Sequence, residues 1–138
     1  EFGVTVMFRG FLLAIVGLLA FALLLRPDNA NLASARTMAF CILVFGQLFQ
    51  VLAARSQTWT FWQLGPFTNP YVFGAVAVSS LLQIAVVSVP TLRPVFEIVS
   101  QSPGEWAVLV LLALTPVTVV ELAKIARQFW LSTDRRPL

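Results

Sequence analysis

Few side chains in this sequence could do chemistry. Gln47 and Gln50 lie three residues apart inside the otherwise apolar stretch ARTMAFCILVFGQLFQVLAARS. On a helix that spacing puts both amides on one face, and in an apolar setting that face is expected to be buried. Two roles stay open for the pair: bonding to a neighbouring helix, worth about 0.6–2 kcal/mol, or lining a cation path with their amide oxygens. Neutral oxygens alone lack the carboxylate that strong divalent binding uses. A second constellation is Glu121 with Lys124 and Arg127, where the spacing lets a carboxylate pair with a cation. Acids inside a membrane often mark ion or proton paths. Glu121, however, falls about one helical turn from a basic chain end, which favours a structural or docking ion pair with Lys124. A third group, Ser79, Ser80 and Gln83, reads as polar glue between helices. Gly46, Gly74 and Ala75 are the small residues that let helices approach closely.

The rest of the inventory excludes more than it offers. The chain has no histidine and one cysteine, Cys41, so an internal disulfide, a zinc cluster and the commonest general base are all out. Nothing resembles a nucleophile with its base, a glycine-rich phosphate cradle or a metal-ligand cluster. No catalytic residue, cofactor site or confident metal site is expected in this chain. Basic residues do not interleave with aromatics in a stripe, so nucleic acid is not an expected partner.

The elements that hold these residues follow from the solvent the chain must live in. Of 138 residues, 59% are hydrophobic and only 11% charged, where a soluble domain carries about 25% charge; the mean hydropathy is +0.88. Crossing a bilayer takes about 20 mostly apolar residues. Four segments qualify, over about residues 4–25, 38–54, 71–89 and 106–123, joined by turn-rich loops. They lack the alternation of a barrel wall. The predicted fold class is therefore all-α, a polytopic membrane protein built as a single four-helix transmembrane domain. Ser102, Pro103 and Glu105 form a capping box for the last span, and Pro116 inside it is expected to kink the helix or free a carbonyl. Trp59, Phe61, Trp62, Trp106 and Trp130 are placed in the aromatic belt at the interfaces.

Charge suggests the orientation. Arg9, Arg55, Lys124, Arg127, Arg135 and Arg136 fall on one side, and Arg26, Arg36 and Arg93 on the other. By the positive-inside rule both termini are expected in the cytoplasm. A cleavable signal peptide is a weaker reading of the first span, since no small-residue cleavage site follows LLLRPDNAN and further spans come after it. The sequence opens on Glu-Phe rather than Met, which leaves open a removed upstream portion or a few residues added in cloning.

Four segments in order carry a resemblance: ARTMAFCILVFGQLFQVLAARS, GPFTNPYVFGAVAVSSLLQ, VPTLRPVF and PGEWAVLVLLALTPVTVVELAK. Together they resemble the C-terminal membrane domain of P-type cation-transporting ATPases, nearest the calcium-pump-like branch, over nearly the whole chain. The resemblance implies the seventh to tenth helices of a ten-helix pump, with both ends cytoplasmic. In two-site calcium pumps a glutamate of the eighth helix joins one ion site, and Gln47 stands at that position; an ion-binding aspartate of sodium and potassium pumps falls at Gln50. With both carboxylates replaced, the resemblance implies a pump that carries one ion per cycle. The family's DKTGT phosphorylation loop, TGE motif and nucleotide domain do not occur in these residues, so ATP and magnesium belong to the parent pump.

The resulting expectation is the membrane scaffold of a P-type cation pump, for calcium or another metal ion. Its partners would be the lipid bilayer, the pump's remaining helices and cytoplasmic domains, and the transported cation. The expected location is a plasma or inner membrane. The alternatives are a standalone regulatory or assembly subunit, or a small transporter; multidrug exporters of similar length depend on an acid in the first span, which is missing here.

Overall fold

A computed structural model describes residues 2–25, 31–56, 58–65 and 67–133. Arg26, Arg135 and Arg136, which entered the charge balance, lie outside the described residues. The elements are α1 (Phe2–Leu24), α2 (Leu32–Ala53), the short α3 (Phe61–Leu64), α4 (Pro70–Ser88) and α5 (Pro103–Thr133). Four of them are long and apolar enough to cross a membrane, and no strand occurs among the described residues. The chain is an all-helical, four-span bundle.

Two helices outrun their apolar runs. α2 begins at Leu32 rather than near 38, because LASA continues the helix with residues of good or neutral helix propensity although it adds little hydropathy. α5 is 31 residues long and runs on to Thr133, about 46 Å at 1.5 Å per residue, well beyond the roughly 30 Å of hydrocarbon. Its start is fixed by a closed capping box: Ser102 N donates to Glu105 Oε2 at 2.6 Å, and Glu105 N donates to Ser102 Oγ at 3.3 Å. The helix continues unbroken through Pro116, and that proline is fully buried. α4 opens on Pro70 with Asn69 capping Val72 N, a sequence suited to a sharp helix start.

α2 is the centre of the bundle. It packs most extensively on α5, then on α1, then on α4, while α1 also touches α5. Met38, Cys41, Ile42 and Phe45 recur along one side of α2 at helical spacing and meet Ala20 of α1, Val87 of α4, and Leu109 and Ala113 of α5. Glycine allows the closest approach. A Cβ on Gly46 would come within 2.6 Å of Leu13 Cδ1 and 3.6 Å of the Ala113 carbonyl, so α1, α2 and α5 converge there. Gly17 does the same for α1 against Leu43 of α2, at 2.6 Å. Gly74, in contrast, faces open space, so the close approach expected around Gly74 and Ala75 is not made among the described residues.

The α4–α5 connection closes the far end. Arg93 donates through Nε to Val87 O and through Nη2 to Ser88 O, both at 2.9 Å, which satisfies carbonyls that the end of α4 leaves open. Glu97 takes a positive φ of 53°, turning Ile98 into the core. Val99 N then donates to Thr37 Oγ1 at 3.2 Å, and Ser34 Oγ donates to Glu105 Oε1 at 3.2 Å, so the loop is stitched to the start of α2.

Candidate functional site

The densest polar cluster lies where α2 ends against α5. A helix C-terminus leaves its last carbonyls without partners, and Lys124 supplies one: its Nζ donates to Ala53 O at 2.7 Å. The same ammonium donates to Trp59 O at 3.3 Å and to Glu121 Oε1 at 2.7 Å. Three acceptors use the three donors of the group. Lys124 is 6% exposed, and a charge at that depth is tolerated only when paired and hydrogen-bonded. Glu121 turns its second oxygen to the next element, accepting from Phe61 N at 2.7 Å at the start of α3.

The loop that follows α2 is folded for this contact. Thr60 caps α3 through Gln63 N, and Gln63 Oε1 accepts from Thr60 N, giving a second capping box. Gln63 and Gln128 pair through their amides, and Gln128 Nε2 also donates to Thr58 O at 2.6 Å. Arg55 donates to Gly65 O at 3.3 Å, where a φ of 84° suits glycine. Sequence spacing anticipates the Glu121–Lys124 contact but not its acceptors, which are backbone carbonyls about seventy positions away in the chain. Thr60-x-x-Gln63 was the legible signal for the loop, since it is a capping box in miniature.

Gln47 and Gln50 do share a face, but that face is not buried among the described residues. Gln50 is half-buried and its Nε2 donates to Arg9 O at 3.3 Å. Gln47 is exposed. Both line an open groove of about 380 Å³ between α1 and α2, together with Val6, Arg9, Gly10 and Leu13. The burial expected for an amide in an apolar run is not provided by the described residues, where this side of α2 faces the open groove along α1.

On the opposite flank, Gln83 is buried and donates to Cys41 Sγ at 3.5 Å, joining α4 to α2. Ser79 and Ser80 are half-buried, and their hydroxyls make no hydrogen bond among the described residues. Trp59, Trp62 and Trp130 are 57%, 79% and 77% exposed, but Trp106 turns inward and sets its edge against Phe45 with centroids 6.3 Å apart. It lies in the first turn of α5, directly after the capping box.

Among the described residues no three His, Cys, Asp or Glu side chains cluster, and the groove beside Gln47 offers amide oxygens and a guanidinium instead. The arrangement holds helices together and leaves open a groove along which Gln47, Gln50 and Arg9 lie.

Comparison with known proteins agrees with this anatomy. The family model described as "Cation transporting ATPase, C-terminus" matches residues 1–126. A calcium-transporting ATPase of Bacillus subtilis is 36% identical over 128 residues, covering 93% of this chain and 14% of the relative. Calcium-transporting ATPase 1 of Bacillus cereus is 33% identical over 103 residues, 75% of this chain and 12% of the relative. Calcium-transporting ATPase type 2C member 2 of Rattus norvegicus is 34% identical over 104 residues, 75% of this chain and 11% of the relative. The chain thus spans only a small fraction of the length of these relatives. It belongs to the P-type cation-transporting ATPases, of which it forms the C-terminal membrane domain.

Proposed function

We infer that this domain is the stationary buttress of a cation pump whose phosphorylation, nucleotide binding and main ion site lie in other parts of a longer protein. One observation carries the reading: the end of α2, the C-terminal half of α5 and the loop between α2 and α4 are locked together by Lys124 bonding Ala53, Trp59 and Glu121. A helix pair tied by a buried, fully bonded ammonium resists sliding, which suits a support against which other helices rock. Both termini then face the cytoplasm of a plasma or inner membrane, as the basic flanks favour, and ATP and magnesium are cofactors of the parent pump.

The cargo in this reading is calcium or a similar cation, the ion named for the Bacillus relatives. Gln47 and Gln50 border the transport core without a carboxylate, and Arg9 shares their groove. A cation beside two neutral amides disfavours a second divalent ion, which supports one ion per cycle. Ion-dependent ATP hydrolysis by the full-length pump tests this. Leucine at Gln47 and Gln50 together is expected to leave the ion dependence of hydrolysis unchanged, whereas a weakened apparent ion affinity would make the pair part of the ion site.

A further inference from the structure

We propose that the cleft between α1 and α5, at the end of the bundle where Lys124 sits, binds the phosphate of an anionic phospholipid headgroup. The cleft measures about 140 Å³ and is lined by Phe8, Arg9, Val120, Ala123, Lys124 and Arg127 among others. Arg9 is 9% exposed, and its Nε is buried without a hydrogen-bond partner among the described residues. A guanidinium donor left dry is costly, so an acceptor is missing from this place.

The chain's own acceptors do not supply it. Glu121 acts on Arg9 through space, but its two oxygens already bind Lys124 Nζ and Phe61 N. Lys124 has no donor to spare, and Arg127, exposed one turn further along α5, has no ion pair among the described residues. Arg9, Lys124 and Arg127 therefore face a single carboxylate, leaving the cleft with an excess of positive charge. A planar guanidinium fork is well matched to phosphate oxygens.

Depth and lining select a lipid over a soluble anion. Lys124 is bonded to the backbone of Trp59, and the exposed Trp59 and Trp62 rings mark the headgroup level. Phe8, Val120 and Ala123 line the same cleft with apolar surface suited to the upper part of an acyl chain. Basic clefts between membrane helices have this use generally. An anionic headgroup is preferred over a zwitterionic one because the latter brings a second positive charge to an already positive site.

The test uses the full-length protein carrying this domain, delipidated in detergent and titrated by native mass spectrometry with phosphatidylglycerol, phosphatidylcholine and inorganic phosphate in turn. Phosphatidylglycerol is expected to bind in preference to phosphatidylcholine, and millimolar phosphate is expected not to displace it. Arg9→Gln and, separately, Arg127→Gln are each expected to weaken phosphatidylglycerol binding by about fivefold. Arg127 is exposed, so its variant reads the site even if Arg9→Gln folds poorly, and Arg9→Lys is expected to retain part of the preference. Equal binding of both lipids, displacement by phosphate, or an undiminished preference in Arg127→Gln and Arg9→Gln would each overturn the proposal. Absence of phosphatidylglycerol binding would do the same, and would mean that another part of the protein covers the cleft.

Discussion

The α2–α5 seam and the α4 flank lie on the same central helix, yet they treat polar groups in opposite ways. Along the seam, Lys124 and Glu121 are bonded to backbone and to each other, and Gly46 brings the helices into close contact. On α4, one weak bond from Gln83 to Cys41 is the side-chain tie to α2 among the described residues, and the hydroxyls of Ser79 and Ser80 are unpaired there. In a bilayer, apolar burial gives no advantage over lipid tails, so helix association rests on packing and on polar groups that find partners. The seam has both. α4 has little of either, and its outward residues, such as Tyr71, Leu81 and Leu82, are largely exposed.

That contrast ranks the effects of substitution. The largest is expected at Lys124→Ala, which strips Glu121 and the Ala53 carbonyl of their partner at depth. Breaking a buried pair from one side costs about 3–5 kcal/mol, and thermal unfolding in detergent should show it as the steepest loss in the domain. Gly46→Leu comes next. The new side chain would have to displace Leu13, an overpacking worth about 1–3 kcal/mol, visible in the same assay.

Gln83→Leu should fall well below both, at about 1 kcal/mol or less, because its bond is to a thiol sulfur, a weak acceptor. A loss comparable to that of Lys124→Ala would erase the difference between seam and flank. The smallest effect belongs to Gln47→Leu, within about 0.5 kcal/mol for an exposed site, since Gln47 makes no hydrogen bond among the described residues. Gln50→Leu, which removes the bond to Arg9 O, should be measurably worse than Gln47→Leu in the same unfolding measurement.

What was legible in the sequence divides along physical lines. Local patterns carried well: apolar length gave the helical spans, Ser102 and Glu105 gave a capping box, and a three-residue spacing put Glu121 beside Lys124. Tertiary partners did not. Nothing near Lys124 in sequence points to Ala53 O or Trp59 O, and Arg9, counted as a flanking charge, is buried against α2 and α5. Trp106, assigned to the belt by its position at a span boundary, also packs edge-on against Phe45, a contact its sequence position does not reveal. Gln47 was expected to be buried because an amide in an apolar run needs cover. Among the described residues that side is open, and a single chain's pattern does not reveal what a buried amide would meet.

The buttress account is tested most directly by distance measurement across the seam during the transport cycle. Spin labels at the exposed positions Phe40 on α2 and Leu122 on α5 would be read in the full-length pump in its ion-bound and phosphorylated states, with Cys41 shielded from labelling by its burial. The account predicts one unchanged distance distribution in both states. A shift between them of more than about 2 Å, the scale of helix displacement in switching proteins, would contradict it and make α2 and α5 moving parts of the pump.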